Sequence, residues 1–210
     1  MIKHTGIVLS AALALALAAP SQAAGRFAAT GTQNIASLSA AEATDLAFMR
    51  EEEKLARDVY LGLYAQWSLT PFSNIASSEQ QHMDAVLKLL RNYRLPDPAA
   101  GLASGEFRNS ELQALYDRLI GEGGLSDVDA VKVGGVIEET DLRDLEAAMA
   151  RADNADIDQV YARLQCGSRN HLRAFARLYQ GLTGQPYAAQ VIAPTTVDAI
   201  LADGQERCGN

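Results

Sequence analysis

Residues 75–86 read IASSEQQHMDAV. On a helix, Ile75, Glu79, His82, Val86, Leu89 and Tyr93 recur in steps of three and four and share one face. A glutamate and a histidine thus occupy places that an amphipathic helix gives to its buried stripe. The same interruption recurs elsewhere in the chain, and that recurrence decides how the sequence is read.

Upstream, the capping box Ser39-x-x-Glu42 predicts a helix running to about Trp67, with the stripe Leu46, Met49, Glu53, Ala56, Tyr60, Leu63, Trp67. The helix that holds the opening stretch is predicted from an N-cap at Ser73 to about Tyr93, where RLPDPAAG ends it. A long connection over 95–125 follows, with a short helix at 110–120. A third long helix opens at Ser126 and runs to about Arg151 through Val131, Gly134, Glu138, Asp141 or Leu142, Leu145 and Met149. A fourth runs from near Asn154 to about Leu182 through Ile157, Tyr161, Leu164, Ser168, His171, Phe175, Leu178 and Leu182. No run alternates with the period of a strand. The expected fold is all-α: a ferritin-like four-helix bundle over residues 38–183, with a long crossover between the second and third long helices. Residues 184–210 form a less regular tail, with a turn or two of helix at 195–202.

The first residues are read apart from the bundle. Residues 1–23, MIKHTGIVLSAALALALAAPSQA, have the basic start, short apolar core and small-x-small end of a signal peptide. Residues 24–37 read as a flexible leader. The expected location is therefore periplasmic or secreted, with no membrane insertion, and what remains suits one domain. A net charge of −8 argues against nucleic acid or an anionic lipid surface as partner. Export permits a disulfide between Cys166 and Cys208, although spacing alone leaves two unpaired thiols open. With no C-x-x-C, the chain carries no rubredoxin-type centre or zinc ribbon of its own.

Each long helix breaks its apolar stripe with a carboxylate, a histidine or both. Taken singly these breaks are weak: Glu79-x-x-His82 arises often by chance, Glu53 lies in the charge run REEEKLAR, and His171 fits a core histidine. Glu51 reads as surface, Glu52 borders a second line of Phe48, Leu55 and Val59, and Glu139 lines up with Arg143 and Glu146 on an exposed face. Taken jointly, Glu53, Glu79, Glu138 and Asp141 would place four negative charges in one core, which is tolerated only with positive charge beside them. Two divalent ions supply it. His82 and His171 add imidazole, and a carboxylate-rich set with imidazole in a helical bundle suits iron first, with manganese or zinc as alternatives.

These residues also carry a resemblance. EEKLARDVY (52–60) resembles the first-helix signature of rubrerythrins, in which the ligand glutamate, here Glu53, is followed by Ala56, Arg57 and Tyr60. IASSEQQHM (75–83) resembles their second-helix E-x-x-H, and IEETD (137–141) a third helix with two acids three apart. From about Leu38 to Leu182 the chain resembles the ferritin-like family catalogued as domain of unknown function 2202, through MREEEKLARDVY, FSNIASSEQQHMDAV and GSRNHLRAF. The resemblance implies a di-metal site whose ligands are Glu53, Glu79, His82, Glu138, Asp141 and His171. Where such helices present a second Glu-x-x-His, this chain has Ser168 before His171. Asp141 then stands in for the missing oxygen donor, with two unequal metal positions expected. Arg57 and Arg169 either steady the carboxylates or form surface salt bridges, and Tyr60 reads as a core tyrosine with a bonded hydroxyl, with a redox tyrosine as the alternative.

The functional expectation is an exported di-iron carboxylate protein that reacts with peroxide or dioxygen, as an oxidoreductase or ferroxidase. Turnover would draw on an external electron donor, and a homodimer is compatible with the sequence. The alternative is a metal scavenger or sensor without catalysis.

Overall fold

The computed structural model describes residues 37–209. The signal peptide expected at 1–23 and the expected leader up to residue 36 lie outside the described residues. Among those described there are helices and no strands: α1 (Ala40–Trp67), α2 (Thr70–Asn92), α3 (Ser110–Gly123), α4 (Asp127–Met149), α5 (Ala155–Thr183) and α6 (Pro194–Ala202).

Local chemistry sets most of the ends. Ser39 and Glu42 form the reciprocal capping box of α1, and Ser126 accepts from the Asp129 amide to start α4. Ser68 closes α1 in the left-handed conformation (φ 53°), which allows a turn of two residues into α2. That second helix departs from expectation. It begins at Thr70 with Pro71 in its first turn, and Ser73 lies inside it, its hydroxyl donating to the Thr70 carbonyl. A proline fixes its own φ near the helical value and lacks the amide a first turn leaves unpaired, so it outcompetes the serine as the start.

α1 packs along α2, and α4 along α5. Apolar side chains gather in two clusters at different heights. One contains Leu55, Val59, Tyr60 and Leu63 of α1, Phe72, Ile75 and Ala76 of α2, Val131, Val133 and Ile137 of α4, and Phe175 of α5. The other contains Leu46 and Met49, Val86, Leu89 and Leu90, Leu145 and Ala148, and Ile157, Tyr161 and Leu164. Chain order through the clusters gives direction: α1 and α5 run one way, α2 and α4 the other. The link between the parallel α2 and α4 is the long segment carrying α3, which packs on α1 and α4.

Charged side chains hold that crossover down. Lys54, 2% exposed, donates to Asp58 (2.6 Å) and to the carbonyls of Ala103 (2.7 Å) and Glu106 (3.1 Å). Glu51 accepts from the Arg108 and Asn109 amides, and Arg50 pairs with Asp97. Glu51 is therefore buried, against the expectation of a surface residue, because the crossover covers the side of α1 that local periodicity assigns to water.

The C-terminal segment packs back as well. Tyr187, Val197 and Ile200 bury against Leu142, Leu172 and Ala176. Glu139, expected to be exposed, is instead fully buried and accepts from the Tyr187 hydroxyl and the amides of Gln190, Val191 and Ile192. Cys166 and Cys208 are joined as a disulfide, with Cα atoms 5.4 Å apart. No described helix is long and apolar enough to cross a membrane.

Candidate metal centre

On each long helix the step from one apolar cluster to the other is occupied by acids and histidines. Glu53 comes from α1, Glu79 and His82 from α2, Glu138 and Asp141 from α4, and His171 from α5. All but His82 are buried, so a polar layer lies between two dry ones.

Glu79 is its centre. Oε2 of Glu79 lies 2.7 Å from Nδ1 of His82, and Oε1 lies 2.9 Å from Nδ1 of His171. His82 Nδ1 is also 3.2 Å from Glu53, and His171 Nδ1 is 3.5 Å from Glu138. Two groups of donors result, Glu53–Glu79–His82 and Glu79–Glu138–His171, each within 4.8 Å and sharing one carboxylate.

Hydrogen bonding accounts for only part of this convergence, the contact between His82 Nδ1 and Glu53 Oε2. Oε1 of Glu53, Oε1 of Glu79, Oδ1 of Asp141 and Nδ1 of His171 are buried without a hydrogen-bond partner, even though two of these atoms stand 2.9 Å apart. An orphaned buried acceptor costs about 1–3 kcal/mol. Two ligands roughly 2.1 Å from a shared ion, at right angles to one another, are themselves about 3 Å apart. The spacing with misaligned lone pairs therefore fits metal donors better than it fits ion pairs. Two oxygens and one imidazole in each group suit a transition metal of intermediate softness.

The electrostatics of the metal-free cluster agree. Burial alone would raise Glu79, but His171 and His82 pull its carboxyl well below the usual range. Burial, with the Glu79 charge added, pushes Glu53 up to about 7 against the pull of His82. Glu138 is raised by burial and by Glu79. Burial would lower His171, yet Glu79 and Glu138 push it up to about 10, and Glu53 and Glu79 raise His82 likewise. Divalent ions would relieve the repulsion among these carboxyls.

Asp141 stands outside both groups. One of its oxygens accepts from the Ser168 hydroxyl, the other is unpartnered, and burial and Glu53 push its carboxyl well above the ordinary value. The two groups offer matching donors about the shared Glu79, so the asymmetry expected from Ser168 appears beside them, in the Ser168–Asp141 contact. Glu52 is buried too, raised by burial and by Asp141 and Asp144, and a cavity of about 20 Å³, room for one water, separates these acids from Leu115 and Leu119.

Close packing positions the candidate ligands. Tyr60, fully buried, donates its hydroxyl to Glu138 at 2.5 Å and belongs to a trio of rings with Phe72 and Phe175, centroids 5.2–5.8 Å apart. Gly134 lets Phe175 in, since a Cβ there would meet the ring at 2.6 Å. Gly167 does the same for His82. With Nδ1 of each imidazole turned toward the acids, both rings border a cleft of about 350 Å³ between α2 and α5.

The family model described as Uncharacterized protein domain (DUF2202) matches residues 42–203. The chain belongs to this family. The uncharacterized protein MJ0754 of Methanocaldococcus jannaschii is 48% identical over 170 residues, 81% of this chain and 91% of the relative. The crystal structure of the hypothetical protein MJ0754 from Methanococcus jannaschii DSM 2661 has a TM-score of 0.78 and 47% identity, covering 80% of this chain and 96% of that one. The DUF2202 match spans all six candidate ligands and stops short of Cys208.

Sequence reasoning missed some members of the site. Arg57 pairs with Asp58 and Gln80, and Arg169 with Glu206, so neither arginine reaches a candidate ligand. Gly167, which seats His82, had a signal: a lone glycine inside a helical pattern marks close packing. Glu52 had none, because its stripe position was ambiguous.

Proposed function

We propose that this DUF2202 chain is an exported, ferritin-like di-metal carboxylate protein that binds two iron ions and reacts with peroxide or dioxygen. The observation that carries the reading is Glu79, a buried carboxylate whose two oxygens each face the Nδ1 of a different histidine. The antiparallel and parallel order of α1, α2, α4 and α5, with a long link before α4, supports the ferritin-like assignment. The signal-peptide pattern of residues 1–23 supports export.

Glu53 and His82 would hold one ion, Glu138 and His171 the other, and Glu79 would join both. Peroxide, taking one electron from each of two ferrous ions and two protons, would leave as two waters; that chemistry belongs to the bound pair. The chain's part is to fix the donors. Tyr60 anchors Glu138, Gly167 gives His82 room, and the apolar layers above and below exclude bulk water. The cleft between α2 and α5 gives a small oxidant its approach. An external donor is needed to restore the ferrous state.

The test loads metal-free protein with ferrous iron under argon and then adds one peroxide per two irons. Uptake of two irons per chain and prompt growth of ferric absorbance are expected, both lost in a Glu79→Ala/His82→Ala variant. Uptake without oxidation would favour the scavenger reading, and no uptake would end both.

A further inference from the structure

Beyond α6 the chain turns back onto α5 and is fastened along one side of it. Glu206 accepts from Arg169 (2.6 and 2.8 Å) and Arg173 (2.8 Å), its amide donates to Asn170 (2.9 Å), and Cys208 is bonded to Cys166. Cys166, Arg169, Asn170 and Arg173 follow the three-and-four spacing of one helix face. The Glu206 carboxyl is held down to about 2, chiefly by its bond from Arg169, so this clamp stays charged at any ordinary pH.

Past the clamp, residues 207–209 are attached by the disulfide and by a bond from the Asn170 side-chain amide to Cys208 Sγ (3.3 Å), and they sit at the approach to the histidines. The cleft of about 350 Å³ that borders His82 and His171 is walled by Cys208. A second groove of about 580 Å³ reaches His82 from the side of Lys88 and Arg163, and Cys208 and Gly209 wall it too. Gln81, His82 and Cys208 are common to both, so Cys208 stands at the partition between them.

We infer that Cys208 is a thiol-released gate on the histidine edge of the site. With the disulfide closed, the approach stays divided and admits small molecules. With it open, residues 207–209 leave and the two clefts join into one groove that accepts larger ones. Opening is ordinary exchange: a thiolate of an external dithiol attacks the half-exposed Cys208 sulfur, Cys166 leaves as thiolate, and the second thiol of the reductant closes its own disulfide and frees Cys208. Two electrons pass from the dithiol to the cystine, and two cysteine thiols result. Glu206 remains clamped, so the fold is kept while the end of the strap is released.

The inference rests on His82 and His171 being the site but not on metal occupancy, so its test uses the metal-free full chain. Hydroxyl-radical oxidation of each histidine, which does not need an unprotonated ring, is followed by mass spectrometry, before reduction and after reduction with dithiothreitol, capping of the freed thiols and removal of the reagents. Both histidines should react several-fold faster once reduced, with near-UV circular dichroism unchanged. Cys208→Ser and a chain ending at Glu206 should show the fast rate without reductant. Unchanged rates, or acceleration accompanied by loss of near-UV dichroism, would overturn the gate and leave the bond a plain staple. Absence of iron uptake in the loading experiment would leave this result standing by itself.

Discussion

Gly167 of α5 lies against the imidazole of His82: a methyl group at 167 would stand 2.7 Å from both Cε1 and Nε2 of the ring. Alanine favours a helix over glycine by about 1 kcal/mol, so Gly167→Ala should leave α5 intact while pushing His82 out of place. The expected result is loss of the Glu53–Glu79–His82 position, with bound metal falling from two ions per chain toward one. Elemental analysis alongside a melting curve checks it. Full occupancy with an unmoved melting temperature would mean that the ring shifts without consequence.

Metal should also stabilise the fold, since binding to the native state alone adds about 2.7 kcal/mol at a hundredfold excess over Kd. For a domain of this size that raises Tm by roughly 5–10 °C. Chelation should reverse the gain, and Glu79→Ala, which removes the shared ligand, should abolish it. Identical melting of wild type with and without ferrous or manganous ions would count against a metal between the helices.

How far the sequence discloses this arrangement depends on where each partner lies. The four stripes, the Ser39–Glu42 cap and the inward set Glu53, Glu79, His82, Glu138 and His171 follow from spacings within a turn or two, and the structure brings them together. Glu51 and Glu139 were misread because their partners are far along the chain, 57 residues away at Arg108 and 48 at Tyr187. Periodicity reports which face of a helix is apolar; it is blind to backbone amides that arrive from a crossover or a returning tail. Asp141 is the intermediate case. Its inward position was legible, but its bond to Ser168 depends on how α4 and α5 meet.

Tyr60 and Glu138 give a sharper test of how a ligand is held. Burial and the Glu138 charge push the phenol well above its ordinary pKa, so Tyr60 keeps its proton and donates it throughout the neutral range. Tyr60→Phe removes that donor from a buried carboxylate and should cost about 1–3 kcal/mol in the metal-free protein. Affinity at the Glu138–His171 position should fall by roughly ten- to a hundredfold, as it does when groups that orient ligands are lost. Urea unfolding and metal titration separate the two effects. A fall in stability with unchanged affinity would make Tyr60 a packing residue only.

Glu42 reports on acid stability away from the layer of acids and histidines. It is 1% exposed and accepts from the amides of Ser39, Asp153 and Asn154, each at 2.9 Å, pinning the start of α1 to the turn between α4 and α5. Burial acts to raise its pKa, but these backbone donors hold it down to about 2 from an ordinary 4.5. A carboxyl whose folded pKa is depressed stabilises the fold fully above its unfolded pKa and loses that contribution as pH falls through the interval between the two. Glu42→Gln should therefore cost about 1.5–3 kcal/mol at neutral pH, the range for hydrogen bonds to a charged group. The gap between wild type and variant should hold steady down to about pH 4.5 and then narrow toward pH 2 as Glu42 takes up its proton. Urea unfolding of both proteins across that range measures it. A gap that stays constant to the acid limit would mean that Glu42 works by shape rather than by charge.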